Sequence, residues 1–320
     1  MTVDAADLVV ALSGGVGGAK LCLGLSHILS PDRLLVVANT GDDFEHLGLA
    51  ISPDLDTVLY TLAGLANPAT GWGRHDETWT FMRAVEALGG ETWFRLGDAD
   101  LAIHIERTRR LAAGITLSQV TADFARRLGI GARIVPMSDD RVRTRVRSSA
   151  GWLDFQDYFV RLRCEPAVLE LAFDGIDAAR PQPDFLAALA HPRLRAVIIC
   201  PSNPFISIDP ILALPGVRGA LSACAAPIVA VSPLISGRAV KGPTDKMMRE
   251  LGLEPSAAAV ARHYGDLLDA YLVDRSDAES VEVPPDMKVV AANALMTSLA
   301  DREALARAAL DVADALRERR

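Results

Sequence analysis

Short, continuous apolar runs alternate with stretches whose apolar residues recur every three or four positions. Residues 8–12, 34–38, 196–200 and 227–231 are the clearest runs, and 132–135, 270–273 and 288–291 are shorter versions of the same kind. Runs this short, bounded by glycine, proline or acidic residues, read as strands buried on both faces. Between them, Leu21, Leu25 and Ile28 keep helical spacing, similar periodicity predicts helices at 78–88, 116–128, 183–189, 244–251, 255–264 and 302–316, and a helix start is read at the aspartates that precede residues 58–62. Thr116 is a candidate N-cap, and Asp98 or Asp100 is expected to cap the helix that follows them. Strand followed by helix, repeated, predicts an α/β protein with an open, mostly parallel sheet flanked by helices.

One stretch departs from this rhythm. Tryptophans, glycines and charges crowd residues 71–79, as flat surfaces for a ring or as a satellite core. Arg141, Arg143, Arg145 and Arg147 alternate, which predicts a strand with one basic face at a solvated sheet edge. Residues 155–159 are rich in β-prone side chains. No Ser/Gly-rich linker frames the region. We therefore expect a single domain over 1–320 with a smaller inserted lobe at about 66–170.

The strand ends carry the candidate chemistry. The first run breaks into Ser13-Gly14-Gly15-Val16-Gly17-Gly18-Ala19-Lys20. Glycines between a buried strand and a helix start let a ligand approach main-chain N–H groups, and phosphate is the natural guest there. The loop matches neither the Walker pattern nor the dinucleotide fingerprint, because Lys20 falls where each requires something else. A lysine on the first turn of a helix reads most simply as a surface residue, and as a phosphate contact otherwise. The second run ends in Asn39-Thr40-Gly41-Asp42-Asp43, and Ser52-Pro53-Asp54-Leu55-Asp56-Thr57 opens the next helix. An aspartate at a helix start is often a cap, but two acidic clusters this close exceed what capping needs. Asp42, Asp43, Asp54 and Asp56 have the chemistry to hold Mg²⁺, which takes one or two carboxylates together with phosphate oxygens. Pro201-Ser202-Asn203-Pro204 repeats the strand-to-loop pattern with a helix expected near Ser207, and Arg238 and Lys241 are cations for phosphate in a later loop. His104 reads as a hydrogen-bonded histidine.

Composition narrows the partners. With 50% hydrophobic residues the chain can build a sizeable core, and a net charge of −8 argues against nucleic acid held by a basic surface. Cys22, Cys164, Cys200 and Cys224 lack metal-site spacing and are expected as thiols. Asp4 and Asp7 leave no basic leader region, and no run approaches the ~18 apolar residues of a membrane span. The expectation is a soluble cytoplasmic protein with neither membrane nor nucleic acid as partner.

Six segments taken together carry a resemblance: residues 13–20, 39–43, 52–57, Leu96-Gly97-Asp98, 201–204 and 231–237. Their order resembles the 2-phospho-L-lactate transferase family of deazaflavin coenzyme (F-420) biosynthesis, from about residue 8 to about residue 275. The resemblance implies a Rossmann-like, Mg²⁺-dependent transferase, usually a homodimer. It would move the phospho-acid part of a guanosine diphosphate-activated donor, such as lactyl-2-diphospho-5′-guanosine, to the ribityl hydroxyl of 7,8-didemethyl-8-hydroxy-5-deazariboflavin and release GMP. Carried over, Asp42, Asp54 and Asp56 would hold metal, with Asp42 and Asp56 in the catalytic role and Asp56 the first choice to accept the hydroxyl proton. Asp56 and Arg95 would bind the deazaflavin side, Gly14, Gly15, Gly17, Gly18 and Lys241 the phosphates, and Ser202 and Asn203 the guanosine diphosphate. The family usually places a basic residue where this chain has Ala99; Arg74, Arg107 or Lys241 would replace it, or the donor would differ. Related enzymes use lactyl, enolpyruvyl or glyceryl donors.

Two other readings remain open. A sister family of nucleotide-sugar-binding regulators, once called gluconeogenesis factors, shares this kind of glycine loop without being enzymes. An NAD-dependent dehydrogenase would need the intact fingerprint and an acidic residue closing the second strand.

Overall fold

The computed structural model describes residues 7–279 and 281–318; Asp4 lies outside them. One sheet of seven strands runs through the molecule: β1 (Leu8–Ser13), β2 (Leu34–Ala38), β3 (Arg133–Pro136), β4 (Leu194–Ile199), β5 (Ile228–Val231), β6 (Ala270–Asp274) and β7 (Lys288–Ala292). The spatial order is β3-β2-β1-β4-β5-β6-β7, and every neighbouring pair is parallel. This is the doubly wound order of a Rossmann-like sheet, which reverses direction between β1 and β4. Residues of β1 alternate between two cores. Val10 and Leu12 face one side with Phe185, Leu189 and Val217, and Val9 and Ala11 face the other with Leu21, Leu25 and Val58.

Helices cover both faces, as a parallel sheet requires. On one side lie α1 (Gly15–Ile28), α2 (Pro53–Leu62) and the C-terminal helix Leu299–Arg317. Three more helices belong to the first half: α3 (Thr80–Ala87), α4 (Asp98–Ala112) and α5 (Leu117–Arg127), while α6 (Pro183–Leu189) packs on the opposite face. Gly24 of α1 lies so close to the C-terminal helix that a Cβ there would collide with the Arg302 carbonyl. Ser298 and Asp301 form a capping box that starts this last helix earlier than its apolar spacing suggests.

Three expectations are corrected. The stretch 66–170 is not wholly a separate lobe, because β3 lies within it and forms an edge of the main sheet. The arginine-rich strand, Arg143–Ser148, is the middle of a three-stranded antiparallel sheet, between Gly151–Asp154 and Glu170–Asp174. Its basic face is neutralised from both sides: Arg145 pairs with Asp154 and Asp174, and Arg147 with Glu170. The β-prone residues around 155–159 instead enter a wide helical turn, Asp157–Arg161. That turn buries Tyr158 and stacks Phe155 on Phe159 with ring centroids 5.3 Å apart. Four-residue spacing brings two rings together on a helix and not on a strand.

Capping also differs from expectation in α4. Asp98 accepts hydrogen bonds from the Thr80 and Phe81 N–H groups and so caps the preceding helix, α3. The start of α4 is capped instead by Glu77, which accepts from the Ala99 and Asp100 N–H groups, each at 2.8 Å. Thr116 caps α5 in a full capping box with Gln119. No disulfide forms among the described residues; Cys22 and Cys200 face each other as buried thiols 3.8 Å apart. Among the described residues no single helix is long and apolar enough to cross a membrane.

The contact at Gly24 yields a signed prediction. Glycine to alanine in an open helix stabilises by about 1 kcal/mol. Here Gly24→Ala should destabilise by about 1–3 kcal/mol, because α1 and the C-terminal helix must move apart. Urea unfolding of the two proteins measures the sign directly.

Candidate active site

Where β1 and β4 diverge, their C-terminal loops clasp one another. The Ser202 hydroxyl donates to the Gly14 carbonyl at 2.8 Å and accepts from the Gly14 N–H at 3.1 Å. Gly17 approaches the Pro201 carbonyl too closely to carry a side chain, and Gly15 takes φ +61°, a conformation that favours glycine. Asn203 accepts from the Phe205 and Ile206 N–H groups and caps the turn Pro204–Ile208, which is where a helix start was expected near Ser207.

A cleft of about 570 Å³ opens outside these strand ends. Gly14, Gly15, Gly17, Asp42, Asp54, Asp56, Arg95, Ser202, Asn203 and Lys241 all line it. Thus residues separated by more than two hundred positions in the chain meet at one place. Gly18 is the exception. It sits against the hydroxyls of Ser13 and Ser202, where it lets the two loops pack.

Three aspartates, Asp42, Asp54 and Asp56, line the cleft, and Asp43 lies behind them. Asp54, on the first turn of α2, does not cap its own helix: it accepts the Gly15 N–H at 2.7 Å and the Asn39 side-chain amide at 2.9 Å. Asn39 also donates to the Ile206 carbonyl at 3.2 Å, so one amide ties the ends of β2, α2 and the Pro204–Ile208 turn together. Burial pushes the Asp54 carboxyl up to about 6, and burial together with the charge of Asp54 pushes Asp42 well above the usual carboxylate range. Asp43, behind the wall, is pushed up to about 7 by burial; it accepts from the Ser52 hydroxyl at 2.8 Å. Oδ1 of Asp42 and Oδ1 of Asp43 are buried without a partner.

Asp56 is handled differently. Arg107, only 1% exposed, grips both of its carboxylate oxygens and also donates to the Ala50 carbonyl at 3.3 Å. Arg107 therefore does not stand in for the basic residue missing at Ala99, since its charge is spent on Asp56. Position 99 itself lies off the cleft lining; the cations on that lining are Lys20, Arg95 and Lys241. Arg74 stacks over the Tyr60 ring at 5.6 Å.

The same lining carries cations. Lys20 is half-buried and donates to the Met296 carbonyl at 3.0 Å. Burial, then the charges of Arg302 and Lys241, hold its ammonium below the usual lysine range. It is no bystander on the surface of α1. Lys241 donates to the Thr70 carbonyl across the cleft mouth. Beyond the charges lies an apolar section with Phe94, Phe155, Phe159 and Val240, and Trp72 stands 56% exposed on its rim. Trp79 and Trp93 belong to the satellite core; Arg95 stacks on Trp79 at 4.2 Å.

Motif reading passed over Asn39 as a hub and the group Tyr60, Asp100, His104 and Arg107. The available signal was helical spacing. Tyr60 follows Asp56 by one turn, His104 follows Asp100 by one turn, and Arg107 falls on the apolar side of α4.

Among the described residues no three His, Cys, Asp or Glu side chains converge into a ready-made metal cage. A Mg²⁺ site with two protein carboxylates needs none. The unpartnered Oδ1 of Asp42 beside Asp54, each raising the demand for a positive neighbour, fits such an ion. The pH dependence follows in sign. Carboxyls raised in the folded state bind protons there that the unfolded chain, near 3.8, has released. Their contribution is full below about pH 4 and lost as pH rises through 6 to 7. In chelator, Asp42→Asn should melt several degrees above the wild type at pH 8 and nearly with it at pH 5; thermal melts at both pH values measure the difference.

The profile of the family 2-phospho-L-lactate transferase CofD matches residues 9–314. A phosphoenolpyruvate transferase from Kitasatospora aureofaciens is 42% identical over 318 residues, 97% of this chain and 98% of that one. One of the same name from Thermobifida fusca is 42% identical over 97% of this chain and 99% of its own. Among solved structures, a UPF0052-family protein from Bacillus halodurans superposes with a TM-score of 0.62 at 13% identity, covering 96% of this chain and 99% of its own, which is a likeness of fold. Matched by that family's model over nearly its whole length and 42% identical to full-length relatives, this chain belongs to the 2-phospho-L-lactate transferase family.

Proposed function

We propose that this protein transfers a phospho-acid group from a guanosine diphosphate-activated donor to the ribityl hydroxyl of 7,8-didemethyl-8-hydroxy-5-deazariboflavin, releasing GMP, in F-420 biosynthesis. The observation that carries this reading is one cleft at the strand crossing that is lined at once by the glycine loop, by Lys20, Arg95 and Lys241, and by the buried Asp42, Asp54 and Asp56. The phosphoenolpyruvate transferases that align along the whole chain favour an enolpyruvyl donor over a lactyl or glyceryl one.

The chemistry suits the residues. Attack by a hydroxyl on phosphorus needs alignment and neutralisation of oxygen charge more than it needs a strong base. The N–H groups of Gly14 and Gly15 are taken by Ser202 and Asp54, so those of Val16 and Gly17 at the start of α1, with Lys20 and Lys241, would face the diphosphate. Asp42 and Asp54 would hold Mg²⁺, which when bound polarises phosphoryl oxygens and offsets their charge. Asp56 was expected as a third ligand; the Arg107 cation on both of its oxygens already offsets its charge, which lowers its demand for a second cation. A remaining lone pair on its oxygens would accept the hydrogen bond, and then the proton, of the attacking hydroxyl. Arg95 and the aromatic section would take the deazaflavin ring. Ser202 and Asn203 build the nucleotide end mainly by fixing the loops.

The test is direct. Purified protein with the deazaflavin, Mg²⁺ and each guanosine donor should release GMP and yield a phosphodiester of the deazaflavin by mass, fastest with the enolpyruvyl donor. Absence of turnover with every donor, together with tight binding of a uridine diphosphate sugar, would move the protein to the regulator class. Asp56→Ala should lower kcat by about 10²-fold or more while the melting curve stays cooperative.

A further inference from the structure

Behind Asp56 a chain of polar side chains runs along the cleft wall and ends at a second carboxylate. Asp100, on the first turn of α4, lines the cleft with its side chain 15% exposed. One of its oxygens accepts from the Tyr60 hydroxyl, and the other lies 3.2 Å from His104 Nε2. On the far side of the same imidazole, Nδ1 is 3.2 Å from an Arg107 nitrogen and 3.7 Å from Asp56. A guanidinium only donates, so Nδ1 must accept. The Nε2 edge of the ring lies against Asp100 at 3.2 Å, with no hydrogen bond aligned between them. Arg107 fixes Asp56 from one end, Tyr60 fixes Asp100 from the other, and the His104 ring packs between them.

The consequence is a stretch of the lining dominated by two carboxylates. Tyr60 donates to Asp100, and Arg107 to Asp56, the Ala50 carbonyl and His104. Nothing here meets a phosphate, which would be repelled; the wall suits a neutral molecule rich in hydroxyl groups. We propose that Asp100 pairs with Asp56 to take hydrogen bonds from neighbouring hydroxyls of a polyol chain on the acceptor substrate, and that His104 is the positioning residue that orients Asp100. This rests on the transferase reading above and assigns the acceptor substrate to the Asp56–Asp100 stretch of the cleft lining.

Steady-state kinetics with each substrate varied, and fluorescence titration of the deazaflavin without donor, test it. Asp100→Asn, close in shape, should weaken deazaflavin binding and raise its KM by about tenfold, with the donor KM changed less than about twofold. Tyr60→Phe, which frees one Asp100 oxygen, should show a smaller loss of the same kind. His104→Gln keeps a donor near the Nε2 position and should restore most of the acceptor affinity that His104→Ala loses. Unchanged deazaflavin affinity in Asp100→Asn, or equal rises in both KM values, would overturn the assignment while leaving the transferase reading in place. A wild-type protein that binds no deazaflavin would overturn both.

Discussion

Asp42, Asp43, Asp54 and Asp56 are each less than a tenth exposed, and an ionised carboxylate taken out of water without compensation costs several kcal/mol. The chain compensates them unequally. Asp56 receives the whole of Arg107, a side chain as buried as any in the core. Asp54 receives one main-chain and one amide N–H, and Asp42 and Asp43 keep an oxygen unpaired. The fully compensated carboxylate becomes a rigid acceptor, and the undercompensated ones create demand for a cation. Both behaviours come from the same residue type, set apart by what packs behind each. Stability given up at such a site is the usual counterpart of chemical readiness.

Placement of this wall follows from topology. In a parallel sheet every strand ends on the same side, and at the point where the winding direction reverses the loops after two adjacent strands part to leave a crevice. β1 and β4 flank that point, and beside the crevice hydrogen bonds between Gly14 and Ser202 clasp the two loops together. Asn39 and Asp54 then lock the third and fourth contributing segments to them. The loop's departure from the standard phosphate motifs is explained by this clasp: Gly17 and Gly18 serve contacts to the Pro201 loop, and Lys20 reaches the cleft from the second turn of α1.

Much of the scaffold was legible in the sequence because it obeys local rules. The buried strands announce themselves as apolar runs, and Thr116, Pro53 and Pro183 mark helix starts through capping and ring geometry. The acidic clusters and glycine loop were legible because strand ends in such sheets face ligands. The rest depends on partners distant in the chain. Nothing near Arg107 signals that it pairs with Asp56, and Asp98 reads as the cap of its own helix until Glu77 is seen to occupy that end. The arginine strand looked like an edge because its neutralising carboxylates lie on two other strands. β3 was hidden inside the supposed lobe since its pairing with β2 spans about a hundred residues of intervening chain.

The central position of β1 has a consequence for synthesis. Its partner on one side, β2, follows within about twenty residues, but its partner on the other, β4, begins only at Leu194. At ribosomal rates of about 5–20 residues per second, the apolar flank of the middle strand stays bare for roughly 10–40 s. The helix that seals α1, Leu299–Arg317, comes later still. The nascent chain thus carries an unpaired, hydrophobic strand edge through more than half of its translation, the condition under which holding chaperones matter most.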